Sequence, residues 1–280
     1  MNFFKMNCPD HPEATLEGFL LDCGELTWGQ RSVRPAVVVC PGGGYAYCNR
    51  AEAEPVAVRY ASKGFHTFIL TYSVRWDAAG FAPLKELSWA IGYIREHAQE
   101  WCVDPDQIAV CGFSAGGHLA LSSGLLGENK PNAMILGYPA TSAPAVPGAD
   151  FMLKFLTGKR EVTSEDAEAF DLPAHVTKEA PPMFLFGTVE DWLTNHQSMP
   201  LVQKYVELGL NYELHIFSFG PHGFALADET SSNGNSRNMD ATLGKWHELS
   251  VEWLHRIFGK PEFVYRTGSR MMSIVKEMGL

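Results

Sequence analysis

Short runs of consecutive apolar residues alternate along this chain with longer stretches in which apolar residues return every three or four positions. Residues 36–40 (AVVVC) form the first clear run, followed by Pro41-Gly42-Gly43-Gly44. Residues 51–63 read as a helix, with Pro55 tolerable only in its first turn, and residues 65–72 (FHTFILTY) as a second strand after Gly64. Leu84, Leu87, Ile91, Ile94, Ala98 and Trp101 repeat at helical spacing, which predicts one amphipathic helix over 83–101. Residues 107–113, 133–138, 183–186 and 212–217 read as further strands, and 115–126, 199–208 and 243–258 as further helices. Ahead of all these, residues 12–28 mix apolar and polar positions as an antiparallel hairpin at a sheet edge would.

Strands apolar on both faces, separated by amphipathic helices, imply a mostly parallel sheet covered on both sides. Right-handed crossovers make it doubly wound, with about eight strands in a single α/β domain over residues 1–280. In such sheets ligands bind beyond the carboxyl ends of the strands, so the residues following each strand are the candidates for chemistry. Residues 141–180 are expected to form a small cap insertion. Residues 261–280 are a C-terminal extension that would pack on the body or on a partner subunit, which leaves a homo-oligomer open.

Gly112-Phe113-Ser114-Ala115-Gly116 matches G-x-S-x-G between an apolar strand and a small-residue helix. The spacing serves a tight strand-to-helix turn that lifts Ser Oγ out of the sheet, with small residues on either side letting strand and helix approach. Outside that setting the same five residues would be a structural turn. Acyl transfer also needs donors for a tetrahedral oxyanion, worth about 3 kcal/mol each. Ala115 N–H is one candidate, and Gly43 and Gly44, just after the first apolar run, are the others. A phosphate-binding loop is disfavoured there, because no Gly-Lys-Ser/Thr follows.

With such a nucleophile turn, the acid and then the base come later in the chain. Glu190 and Asp191 follow the strand at 183–186, and Pro221-His222-Gly223 follows the strand at 212–217. His222 would be the general base, and either carboxylate could orient it. His118, one helical turn beyond Ser114, reads as a packed, hydrogen-bonded side chain. No His pair has metal-ligand spacing, so a catalytic metal is not expected.

Composition narrows the partners. The net charge of −10 disfavours nucleic acid and anionic membrane. Six cysteines, none in a CxxC pair, read as reduced thiols. The start of the chain lacks the pattern of a secretory signal, and no stretch is long and apolar enough to span a bilayer, so a cytoplasmic location is expected.

The run from Val37 to Tyr45, then Glu52-Ala53-Glu54-Pro55-Val56-Ala57, the elbow extended through Gly117-His118-Leu119-Ala120, and Pro221-His222-Gly223 together resemble α/β-hydrolases of the acetyl esterase and xylan esterase-like group. That group is related to feruloyl esterases and hormone-sensitive lipase. The resemblance spans about residues 36–258. It implies hydrolysis of short acyl esters, notably acetyl groups on sugars such as acetylated xylo-oligosaccharides, without a cofactor. By the family pattern Ser114, Asp191 and His222 carry over as the triad. Pro41 replaces the His of the lipase H-G-G-G motif, and the loop Gly187-Thr188-Val189-Glu190-Asp191-Trp192 departs from the residues many relatives carry around the acid. Tyr45 and Trp192, with Tyr47 and Trp76, lie near the active-site loops, where their rings would either stack on a sugar or serve packing. A serine peptidase, an arylformamidase or a thioesterase would share the acyl chemistry, and a silent binding module would have lost a triad member.

Overall fold

The computed structural model describes residues 1–23, 33–142, 150–259 and 276–279. Its centre is one eight-stranded sheet: β1 (Asn2–Cys8), β2 (His11–Leu20), β3 (Arg34–Cys40), β4 (His66–Thr71), β5 (Val103–Phe113), β6 (Ala133–Gly137), β7 (Met183–Thr188) and β8 (Tyr212–Phe217). The strands lie in the order β1-β2-β4-β3-β5-β6-β7-β8. β1, β2 and β4 pair antiparallel, and every other pair is parallel. The doubly wound architecture agrees with the apolar pattern, and a hairpin does lie at the sheet edge, but His11–Leu20 is a single strand of it, paired with β1 ahead of the predicted segment. The hairpin begins at Asn2, and residues 24–28 of the predicted one lie outside the described residues.

Alternation along the strands divides the core in two. Val38, Val110, Leu136 and Leu185 face α2 (Ala82–Glu96), α4 (Ala115–Leu126) and α7 (Ser198–Leu208). Val37, Val39, Cys111, Phe184 and Phe186 face α1 (Glu54–Ala61) and α8 (Lys245–Phe258). From β3 the chain crosses one face to β4, and from β5 it crosses the other face to β6. The adjacent ends of β3 and β5 therefore part company, and a crevice opens at this switch point.

Three expected boundaries move. α1 starts at Glu54, after a 3-10 turn over Arg50–Glu52, and Pro55 occupies its first turn. The predicted helix over 83–101 divides at His97 (φ −97°, ψ 10°), whose N–H bonds Tyr93 O at 3.2 Å and closes α2; α3 (Ala98–Trp101) follows. β5 begins at Val103, not at residue 107, because Arg34 pairs with Val103 before a register shift around Pro35 brings Ala36 opposite Ile108.

The long connection carries α5 (Asp150–Thr157), α6 (Ser164–Ala169), opened by a Thr163–Asp166 capping box, and a 3-10 turn over Leu172–His175. α5 packs on the turn Arg75–Phe81, with the Trp76 and Phe155 rings 5.4 Å apart and edge to face. The connection closes on itself where Ser142 pairs with Asp171. Residues 143–149 of the expected cap, and most of the 261–280 extension, lie outside the described residues. All six cysteines are free thiols. No helix among the described residues is long and apolar enough to cross a membrane.

α4 is buried from Ala115 to Leu125, so it must lie flat on the sheet. A Cβ on Gly116 would stand 2.2 Å from Cys40 O and 2.4 Å from Pro41 O. Backbone cannot yield there as a flexible side chain could. Gly116→Ala is expected to destabilise the protein by about 2 kcal/mol or more, on the scale of core overpacking. Urea unfolding of both forms measures this, and an unchanged midpoint would contradict the close crossing of α4 over β3.

Candidate functional site

Ser114 stands between β5 and α4 with φ 51° and ψ −116°. A non-glycine residue there stores strain on the order of 1–2 kcal/mol, which the surroundings must hold. They do so through the backbone: Ser114 N–H donates to Gly137 O (3.0 Å), and Ser114 O accepts from His118 N–H (3.0 Å) and Ala140 N–H (3.1 Å). Both ends of the elbow are thereby tied to β6 and its loop, and the side chain points away from the sheet.

Its partner arrives from the far end of the chain. His222 Nε2 lies 2.9 Å from Ser114 Oγ, and His222 Nδ1 lies 2.7 Å from Asp191 Oδ2. Asp191 is 1 % exposed, and its carboxylate is surrounded by donors. Oδ1 accepts from Leu193 N–H (2.9 Å) and Thr194 N–H (3.2 Å), and Oδ2 accepts from Thr194 Oγ1 (2.7 Å). Burial pushes the Asp191 pKa up, but His222, Thr194 and the Leu193 N–H outweigh it and hold the pKa below the ordinary aspartate value. The structure thus brings Ser114, His222 and Asp191 into one hydrogen-bonded line. Glu190 is exposed and binds elsewhere: its Oε2 accepts from Gly220 N–H at 3.0 Å.

The loop carrying His222 is pinned at several points. Thr188 Oγ1 donates to Gly220 O (2.6 Å), Trp246 Nε1 donates to Ala225 O (2.8 Å), and Ala225 N–H donates to Tyr138 Oη (3.0 Å). Trp246 is itself held by a stacked contact with Phe186 at 4.3 Å.

After β3, Gly42 N–H donates to Glu52 Oε2 at 2.8 Å, and a Cβ on Gly42 would come within 3.0 Å of Ser114 Cβ. The glycine loop therefore runs directly beside Ser114. Gly43 has φ 127°, and a Cβ there would fall 2.0 Å from Tyr47 O, so only glycine fits. The N–H groups of Gly43, Gly44 and Ala115 have no hydrogen-bond partner among the described residues. They remain available to an incoming anionic oxygen.

Two of the expected substrate contacts part ways. Tyr45, expected to face a sugar, is fully buried; this reading is corrected. Its φ of 58° turns the ring under the loop, where Oη lies 2.9 Å from His118 Nδ1 and the ring packs on Tyr72. His118 is packed as expected, and burial lowers its pKa to about 4, so it is neutral at ordinary pH. Trp192, directly after Asp191, is 70 % exposed, and Tyr47 and Trp76 are also exposed. Sequence reasoning assigned no role to Glu52, Tyr138 or Thr194. The signal that could have pointed to Thr194 was its place three residues after Asp191, just past an Asx turn closed by Leu193 N–H, where its N–H and hydroxyl can both donate to the carboxylate. Among the described residues, no group of three His, Cys, Asp or Glu could hold a metal ion.

Comparison with known proteins agrees with this architecture. Residues 26–146 match the BD-FAE family model. The chain is 27 % identical over 230 residues to endo-1,4-beta-xylanase B of Butyrivibrio fibrisolvens, covering 75 % of this chain and 36 % of that protein. It is 25 % identical over 204 residues to an acetylxylan esterase of Xylanibacter ruminicola, covering 68 % and 41 %. It thus spans well under half the length of these curated relatives. The crystal structure of MGS-M1, an alpha/beta hydrolase enzyme from a Medee basin deep-sea metagenome library, superposes with a TM-score of 0.80 at 32 % identity, covering 93 % of this chain and 99 % of that one. With that likeness over nearly the full length of both chains, and with the sheet order described above, the chain belongs to the α/β-hydrolase family.

Proposed function

We propose that the protein is a serine hydrolase that cleaves short acyl esters, acetyl esters above all, on carbohydrates such as acetylated xylo-oligosaccharides. The observation that carries this reading is the hydrogen-bonded line Ser114–His222–Asp191 beside the unpaired N–H groups of Gly43, Gly44 and Ala115. The carbohydrate acetyl ester is suggested by the relative named an acetylxylan esterase.

In the first half-reaction Ser114 Oγ gives its proton to His222 Nε2 and bonds to the ester carbonyl carbon. The carbonyl π electrons move to oxygen, and the N–H groups of Ala115 and of Gly43 or Gly44 receive the negative charge. Collapse breaks the bond to the alcohol oxygen, which leaves with the proton from His222. A water then repeats the sequence on the acyl-serine, releasing the carboxylic acid and restoring Ser114. Asp191 holds the Nδ1–H tautomer and stabilises the imidazolium in both halves. Trp192, Tyr47 and Trp76 offer exposed aromatic faces for a sugar ring.

The test pairs substrates with variants. p-Nitrophenyl acetate should turn over faster than the butyrate and far faster than the octanoate. Acetylated xylo-oligosaccharides should release acetate, and an aminoacyl anilide should react slowly or not at all. Ser114→Ala should lower kcat on the order of 10⁴-fold or more, and Asp191→Asn on the order of 10³-fold or more. Glu190→Gln should stay near wild type. Equal rates for wild type and Ser114→Ala would refute the reading, and preference for the anilide would move it to peptidase chemistry.

Asp191 also gives a readout that needs no substrate. Its pKa is lower in the folded protein than in the unfolded chain, so it stabilises the fold above the ordinary aspartate range. That contribution is lost as pH falls through the folded-state pKa, at about 1.4 kcal/mol per unit of lowering. The unfolding free energy of wild type minus that of Asp191→Asn should therefore shrink steadily on acidification below about pH 4. A difference that stays constant down to acid unfolding would contradict the lowered pKa.

A further inference from the structure

Glu52 is a carboxylate with 2 % exposure that the proposed chemistry does not use. Its two oxygens face different parts of the site. Oε2 accepts from Gly42 N–H at 2.8 Å, on the loop that presents the Gly43 and Gly44 N–H groups. Oε1 accepts from Tyr138 Oη at 2.7 Å. That same Oη accepts from Ala225 N–H at 3.0 Å, three residues beyond His222, and the Tyr138 ring stands edge-on to the His222 ring at 5.0 Å. One buried side chain thus joins the loop after β3 to the loop after β8 through a single tyrosine. Neighbouring Glu54 opens α1 and is exposed, so this role belongs to Glu52 alone of the pair.

We infer that Glu52 is a positioning residue, holding the oxyanion loop and the His222 loop in one fixed geometry through Gly42 and Tyr138 and placing a negative charge behind the imidazole. The inference rests on the serine-hydrolase reading for its catalytic consequence. Burial holds the Glu52 pKa above the ordinary glutamate value, and the hydrogen bonds from Tyr138 Oη and the Gly42 N–H, with His222 and Asn49, work against that rise and favour the carboxylate. Of the titratable groups around it, Tyr72, Cys111 and Tyr138 all have raised pKa values and stay neutral near pH 7. The charge that Glu52 can answer is therefore the one that forms on His222. Glutamine at this position keeps the volume, but with its carbonyl oxygen on Gly42 N–H its amide nitrogen faces Tyr138 Oη and cannot accept from it. The expected consequence is a looser oxyanion loop and a less stabilised imidazolium.

The experiment compares Glu52→Gln, Glu52→Asp and Tyr138→Phe with wild type. Two readouts are used, and neither responds to stability alone. The first is kcat on p-nitrophenyl acetate, normalised by active-site titration with a p-nitrophenyl phosphonate. Glu52→Gln should lose kcat on the order of 10- to 100-fold per active site with KM little changed. Tyr138→Phe should lose a similar factor, and the double variant should fall little further, because both sever the same link. Glu52→Asp, which keeps the charge, should recover part of the loss. The second readout requires no turnover. The ring nitrogens of His222, followed by ¹⁵N NMR against pH, should titrate at lower pH in Glu52→Gln than in wild type. Wild-type kcat per active site together with an unmoved His222 titration would overturn the inference. A wild-type protein with no esterase activity would instead refute the functional reading, and the NMR titration would still decide the placement of charge. Should Glu52→Gln fail to fold, Tyr138→Phe decides through kcat per active site, where a wild-type value would overturn the inference.

Discussion

The close crossing of α4 over the ends of β3 and β5 is the constraint on which the site depends. Gly112 and Gly116 let a helix buried on nearly all sides begin within one residue of a central strand, with no room for a methyl group between helix and backbone. Ser114 takes the turn that this contact imposes and pays for its positive φ with two backbone hydrogen bonds to β6 and the loop that follows and a third within α4. The first turn of α4 then leaves Ala115 N–H pointing out beside Oγ, because the opening N–H groups of a helix have no internal partner. Packing of the scaffold and presentation of the Ser114 hydroxyl are here consequences of a single geometric fact.

The topology decides which loops can reach that point. β3 and β5 are neighbours whose following helices lie on opposite faces, so the glycine loop and the elbow face each other across the switch point. β7 and β8 stand further along the sheet, and their loops must lean back to meet Ser114. Hydrogen bonds between the two loops make this lean rigid: Thr188 and Glu190 both grip Gly220, just ahead of His222. Glu190, adjacent to the carboxylate that meets the imidazole, thus contributes by bracing the histidine loop and not by competing for its nitrogen.

Much of this was legible in the residues, and the exceptions have identifiable causes. The parallel strands were visible because burial on both faces leaves uninterrupted apolar runs such as Val37–Val39. The positions of Ser114 and His222 followed from the elbow spacing and from order along the chain. Strand order alone did not separate Asp191 from Glu190, and only the family resemblance favoured Asp191, since the two are adjacent on an irregular loop and differ in fate by which one turns inward under Thr194. Tyr45 misled because an aromatic beside a glycine loop at a strand end suggests a ligand contact, whereas its left-handed backbone carries the ring into the core. Glu52 and Glu54 look alike in a charged, Ala-rich segment; only the 3-10 turn before α1 sends one inward and leaves the other in solvent.

That inward turn bears on how selectivity and chemistry can be divided in this fold. The side chains that fix the geometry lie beneath the site and are buried: Glu52, Tyr138, Asp191, Thr194 and Trp246. The aromatic side chains of Trp192, Tyr47, Trp76 and Phe219 are more than half exposed. Buried, mutually bonded groups resist displacement because each lost hydrogen bond would leave a desolvated partner unsatisfied. Exposed rings carry no such penalty and can be exchanged at little cost to stability. Those rings can therefore vary while the hydrogen-bonded line keeps its distances, since the two sets of residues share loops but not hydrogen-bond partners.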